Sequence, residues 1–295
     1  MAAMERGILL IDKPAGMTSH DVVARLRREL GRKDLGHAGT LDPQATGLLV
    51  VALGAATKWL PYLPSDKLYS AALHLGLETD SEDIWGKELR RSDASALDEA
   101  RVRQALESLK GLSEQVPPMV SALKRGGRPL YELAREGVEV ERPPRPIEIH
   151  ALKVTAVRLP EADFEVHCGG GTYVRSLCAE AGRRLSVGAC LSRLRRLACG
   201  GFKVDQALDQ ALWTKDALLG ALLGPEQALA NLGRRELTQA QAADVSHGRA
   251  VALEQGEEGQ VLRLHGPDGS LAALAVAGLK EGRWLAQPER VFSAA

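Results

Sequence analysis

The chain has 295 residues, 45% apolar and 26% charged, with 38 basic residues against 38 acidic ones. That length suits two domains, and the balance is that of a folded protein rather than a disordered tail. A formal charge of zero argues against a non-specific polyanion binder, although it can hide a local basic face. No apolar run approaches the roughly 20 residues that would cross a bilayer.

The first residues (MAAMERGILLIDKP) are not read as a signal peptide, because the apolar part is only Ile8 to Ile11 and an acid precedes it. Ile8–Ile11 is a short buried strand, and 12–16 (DKPAG) turn out of it. Thr18 and Asp21 carry a capping box for a helix through Leu30. Val22, Val23, Leu26 and Leu30 share one face of it, and Gly31 ends it. Next comes GHAGTLDPQATGLLVV (36–51), polar and rich in small residues, then an apolar strand from Leu48 to Leu53. A turn rooted in a buried strand holds a side chain still, and the one acid in this stretch is Asp42.

Further along, 56–63 predicts a short helix interrupted by Pro61, and Tyr69–Leu75 a strand. The acidic 78–83 (ETDSED) reads as a solvated turn, without the spacing of a calcium loop. Residues 97–110 form an amphipathic helix with Val102, Leu106 and Leu109 inward and Gly111 as its stop. Prolines bracket a basic excursion over 113–146. Strands follow at 147–157 and 164–168, with Phe164, Val166 and Cys168 on one face. A triple-glycine turn then leads to a helix from about Tyr173 to Leu185. That turn lacks the G-K-[ST] ending of a P-loop, which excludes triphosphate binding of that kind. Residues 206–231 read as helical, and beyond Gly233 short apolar runs between glycines predict a small β-rich domain.

Cys168, Cys178, Cys190 and Cys199 form no C-x-x-C pair, so they read as reduced buried thiols and no metal site is expected of them. Read alone, Asp42 before Pro43 is a turn former, His37 a turn histidine, Tyr69 a core residue and each arginine a solvated charge.

Taken together these motifs resemble the TruB family of tRNA pseudouridine-55 synthases. GHAGTLDPQATGLLVV resembles the catalytic motif. ILLIDKPAGMTSHDVV, DKLYSAALHLGLETDSED, VSALKRGGRPLYELAREGVEVERPPRPI, CGGGTYVRSLCAEAGRRL and GACLSRLRRLACGGF resemble others in the same order, over most of residues 7–203. The resemblance implies an α+β fold, with a mixed, largely antiparallel sheet flanked by helices. It places the catalytic domain in 1–232 (113–146 being an RNA-clamping insertion) and a PUA-like RNA-binding domain in 233–295.

The implied reaction turns the T-loop uridine of tRNA into pseudouridine, with no cofactor and no metal. The base flips out, its bond to N1 breaks, and it rotates and rejoins at C5. By the resemblance Asp42 is the catalytic carboxylate and Arg175 its partner. Tyr69 stacks on the base, Tyr173 and Leu194 complete the pocket, and His37 supports the flipped-out state. Three routes stay open for the carboxylate: attack at C1′, addition at C6, or removal of the C2′ proton. Lys124, Arg125, Arg128, Arg193, Arg195 and Arg196 are candidates for phosphate contacts. The expected partner is tRNA, T loop and stem, with no membrane or protein partner, for a monomer in the cytoplasm. The alternatives are a non-catalytic RNA-binding protein, a guide-RNA-dependent synthase and a glycosidase. The set of Asp42, Tyr69 and Arg175 disfavours the first, the lack of a long basic tail the second, and the want of a second catalytic acid the third.

Overall fold

A computed structural model describes residues 6–121 and 123–292; the side chains of Lys124 and Arg135 lie outside what it describes, and so does the phosphate role expected of Lys124. Strand β1 (Gly7–Lys13) leads to helix α1 (Ser19–Leu30). Thr18 and Asp21 cap the helix reciprocally, and Gly31 ends it at φ 64°. Strand β2 (Leu35–Ala38) and strand β3 (Thr46–Leu53) come next. The apolar run of β3 is continuous because both of its faces are covered. Leu48, Val50 and Ala52 pack into one core, whereas Leu49, Val51 and Leu53 pack into another beneath α1.

A 3-10 stretch (Gly54–Tyr62) contains Pro61 and precedes β4 (Lys67–Leu75). Strands β5 (Leu77–Thr79) and β6 (Glu88–Arg91) pair across the acidic segment. That segment corrects the expectation of a solvated turn. Thr79 and Ser81 are buried. The Glu82 carbonyl accepts from Leu191 and the Leu191 carbonyl from Ile84, which lashes the loop to the main sheet. Helix α2 (Glu99–Glu107) buries Val102 and Leu106 and tightens into a 3-10 turn at Ser108–Gly111.

The excursion is closed at its base by β7 (Glu114–Gln115) pairing with β10 (Arg145–Pro146). Between them lie the small hairpin β8 (Lys124–Arg125) and β9 (Arg128–Pro129), then α3 (Leu130–Arg135). Strand β11 (Ile149–Arg158), strand β12 (Glu161–Cys168), helix α4 (Val174–Arg184), strand β13 (Ala189–Cys199) and strand β14 (Phe202–Lys203) complete the layer. The main sheet runs β1-β3-β13-β4-β12-β11. Only the short β13–β3 contact is parallel, through Arg195↔Thr46 and Arg196↔Gly47.

Residues 206–231 are not one helical region. They hold the end of one 3-10 turn (Val204–Gln206), a second 3-10 turn (Gln210–Leu212), helix α5 (Lys215–Gly220) and helix α6 (Pro225–Ala228), broken by glycines and a proline. Their tertiary task explains this. Leu208 and Leu223 exchange backbone hydrogen bonds with Leu10, Asp12 and Ile8, sealing the free edge of β1.

The C-terminal part has β15 (Gly233–Glu236), α7 (Gln239–Ser246), β16 (Val251–Ala252), β17 (Val261–His265), β18 (Leu271–Lys280) and β19 (Arg283–Val291). Their order is β15-β17-β18-β19-β16 around a core of its own. Leu271, Leu274 and Phe292 pack instead into the core of Ile8, Leu48 and Trp59, which joins the two sheets.

Candidate active site

The loop carrying Asp42 is fixed from beneath by residues far off in sequence. Leu41 donates from its backbone to Ser19 Oγ at 2.8 Å, and that hydroxyl donates to the Leu41 carbonyl. The Pro43 carbonyl accepts from Gly16 N (2.9 Å) and from Lys13 Nζ (3.0 Å). Lys13 is wholly buried, and its ammonium also donates to the carbonyls of Pro14 and Met17. Burial pushes Lys13 down to about 8, with the Asp42 charge opposing the shift.

Arg175 stands at the start of α4 and grips Asp42 with two nitrogens, Nε to Oδ2 at 2.9 Å and Nη2 to Oδ1 at 3.2 Å. The rest of its fork donates to the carbonyls of Ser81 and Val120, each at 2.8 Å. A guanidinium only 4% exposed thus has a counter-charge and two neutral acceptors, which offsets the cost of burying it. Asp42 keeps 39% exposure and faces a cleft of about 310 Å³. The walls come from 39–42, from Lys67 and Tyr69 on β4, from Ser121 and Leu123 of the excursion, from 171–175 and from Leu194 on β13.

Tyr69 is 6% exposed and lies opposite Arg196 on β13 and Val166 on β12. Burial pushes its hydroxyl up to about 12, opposed by the Arg196 charge, so it is a neutral phenol at pH 7. Tyr173 exchanges two hydrogen bonds with the Gln115 side chain, 2.9 and 3.0 Å, which pins the cleft wall to the base of the excursion. Leu194 faces the same space from the β13 side.

Not every expected residue is in the cleft wall. His37 sits on β2 opposite Val51, two residues before Gly39, and is on a strand rather than in a turn. Its Nδ1 is buried without a hydrogen-bond partner, and burial together with the Arg196 charge lowers its pKa, leaving a neutral ring. Arg196 corrects its assignment as a phosphate contact. It is wholly buried and donates to the carbonyls of Leu48 (2.6 Å) and Gly39 (3.0 Å). A side chain committed to the backbone of β3 and of the Asp42 loop cannot reach RNA.

Arg195 pairs with Asp12 at 2.6 Å, Arg193 with Asp163 at 2.5 Å and Arg128 with Glu136 at 2.5 Å, so each would have to exchange a carboxylate for a phosphate. Arg125 is exposed on its hairpin. Sequence reasoning missed Ser19, Gln115, Lys67 and the carbonyls of Ser81 and Val120. The carbonyls left no signal, since every residue carries one.

The family model described as "TruB family pseudouridylate synthase (N terminal domain)" matches residues 27–174. A tRNA pseudouridine synthase B of Geotalea uraniireducens is 45% identical, over 94% of this chain and 93% of that protein. One of Parasynechococcus marenigrum is 42% identical, over 98% of each. Among solved structures, a chain of a Cbf5-Nop10-Gar1 complex superposes with a TM-score of 0.74 at 27% identity, covering 97% of this chain and 85% of that one.

Proposed function

The chain belongs to the TruB family of pseudouridylate synthases, and from that premise we propose that it converts the T-loop uridine of tRNA, position 55, to pseudouridine in the cleft above Asp42. The observation that carries this reading is the Asp42–Arg175 pair. An open carboxylate is held by a buried, bidentate arginine in a cleft that an aromatic ring and a leucine also line. Arginine gives the carboxylate a fixed counter-charge and aims it without covering it. An ionised carboxylate is what all three routes need, whether it attacks C1′, adds to C6 or removes the C2′ proton.

The flipped uracil lies between Tyr69 and Leu194, with Tyr173 closing the pocket, and His37 on β2, outside the cleft wall, supports the vacated stack. The N1–C1′ bond breaks, the base rotates, C5 bonds to C1′, the proton on C5 passes to water, and N1 takes up a proton from water. The Tyr69 hydroxyl, a neutral phenol, assists the transfer from C5. The reaction is an isomerisation, so nothing is oxidised and no group leaves the site. The excursion closes over the RNA with Arg125 and Arg128 toward phosphates, and the 233–295 part holds the tRNA as a PUA-like domain. The enzyme works on free tRNA as a single chain, in the cytoplasm. Among the described residues no helix is long and apolar enough to cross a membrane.

The test uses unmodified tRNA tritiated at C5 of uridine. Tritium should pass into water, and the release should vanish when the T-loop uridine is changed to cytidine. Absence of release from the wild-type transcript, or release that survives the cytidine change, would sink the proposal.

A further inference from the structure

On the face of the main sheet opposite buried Cys168, two histidines and an aspartate converge, and the reaction uses none of them. Asp66 precedes β4, His150 is on β11 and His167 is on β12, and one ligand atom from each lies within 4.8 Å of the others. The imidazoles are 4.7 Å apart between centroids. His150 owes its position to an irregularity in the ladder. Ile149 pairs with Cys168 and Ala151 with His167, so His150 is the extra residue of a bulge that turns its ring toward His167.

The His150–Asp66 distance is compatible with coordination. His150 Nε2 is 3.4 Å from Asp66 Oδ1, long for a hydrogen bond. Two donors each about 2.0–2.1 Å from one tetrahedral Zn²⁺ are themselves about 3.4 Å apart. The other nitrogen of His150 is 3.3 Å from Glu148 Oε1. A carboxylate behind a histidine fixes which nitrogen faces the metal and raises its basicity. The site is also anchored. The Asp66 carbonyl accepts from Gly200 N at 2.9 Å, and Gly170 packs so closely on Ser65 that a Cβ there would come within 2.9 Å of its side chain.

We propose that Asp66, His150 and His167 bind one Zn²⁺ ion, with Glu148 orienting His150 and water completing the coordination. Two nitrogens and a carboxylate oxygen match a borderline divalent cation rather than Mg²⁺ or Ca²⁺. The ion ties the segment leading into β4 to the hairpin of β12 and β11, the edge strand of the sheet. Lys67 and the 171–175 wall of the cleft follow directly on these ligands, so the ion stiffens one side of the cleft without touching the reacting atoms.

The experiment uses untagged, full-length protein stripped with chelator and titrated with Zn²⁺ in a calorimeter, with thermal unfolding in parallel. One ion should bind per chain and Tm should rise with free Zn²⁺. His150→Ala and His167→Ala should each weaken binding by about 100-fold or more, and Glu148→Gln by about tenfold. No stoichiometric binding, or binding unchanged in both histidine variants, overturns the site. Should a variant fail to fold, Co²⁺ in the wild-type protein decides. Ligand-field bands of a four-coordinate nitrogen–oxygen site support it. Their absence, or a thiolate charge-transfer band, overturns it.

Discussion

Arg175 gathers three parts of the chain at one guanidinium: Asp42 from the loop before β3, Ser81 from the acidic segment and Val120 from the excursion. An ammonium at that position has neither the planar fork nor enough fixed donors to replace it. Arg175→Lys should therefore lower kcat by about 100- to 1000-fold, while Arg249→Lys, a surface pair with Asp244, should leave it unchanged. Tritium release on saturating tRNA measures both, and equal mild losses would remove the special role of the pair. Asp42→Asn keeps the shape and removes the charge. It should cut turnover by about 10⁴-fold or more with tRNA affinity held, read by filter binding beside the tritium assay. Should pseudouridine still form at a comparable rate, Asp42 is not the reacting group. Asp42, Tyr69, Tyr173, Arg175 and Leu194 are all legible in the sequence motifs, and all five line one cleft. The burial of Arg196 could not be read there, since in LSRLRRL it looks like Arg193, which is exposed, and Arg195, which is half-buried. What distinguishes it is a register that turns its side chain under the Asp42 loop.

At the scale of elements, the β3–β13 contact carries the site, and Gly47 is what allows it. Its φ is 99°, and a Cβ there would sit 2.3 Å from the Arg196 carbonyl oxygen. Gly47→Ala should destabilise the fold by about 3 kcal/mol or more, measured by urea unfolding, because both the backbone and the neighbouring strand would have to move. A midpoint within error of wild type would mean that the two strands separate freely. The excursion is the second such element. Its Val120 carbonyl, Ser121 and Leu123 belong to the cleft, so its contribution reaches beyond electrostatics. Affinity for tRNA should fall as salt rises, and Lys124→Ala or Arg125→Ala should each reduce the slope of log K against log salt by about 1. A slope unaltered by both would move the RNA path elsewhere. Local rules located α1 and its caps, β3 and the excursion. They failed for 78–83 and 206–231, where partners distant in sequence decided. The acidic segment is held by β13, and the short helical turns take their shape from the edge of β1 that they cover.

Over the whole molecule, the buried titratable groups set how stability responds to alkali. Burial raises the thiols of Cys168 and Cys190 to about 11, and that of Cys178 well above its usual value. In the unfolded chain they ionise near 9. Between those values the native state holds more protons, so the stabilisation is complete below about pH 9 and is lost toward pH 11 and beyond. Each thiol contributes a slope of about 1.4 kcal/mol per pH unit within its window. Lys13 runs the other way from about 8 to 10.5, because there the unfolded chain holds the extra proton. Three groups outweigh one. Urea midpoints under reducing conditions should fall from pH 9 to pH 10, and Cys178→Ala should flatten the decline. A midpoint that rises over this interval would contradict the burial of the thiols.

The sequence by itself determined the elements whose causes are local: the capped helix, the apolar strand, the glycine turns and the motif around Asp42. It also gave the family, because motif order is a property of the chain. Only the tertiary structure decided which groups meet. Arg175 reaches Asp42 across 133 positions, Gln115 reaches Tyr173 across 58, and Arg196 goes inward while Arg195 stays outside. The reason is physical. A hydrogen bond to a backbone carbonyl, a bulge that turns one histidine, and the burial of one arginine among three depend on strand register and packing, and neither is written in any single stretch of residues.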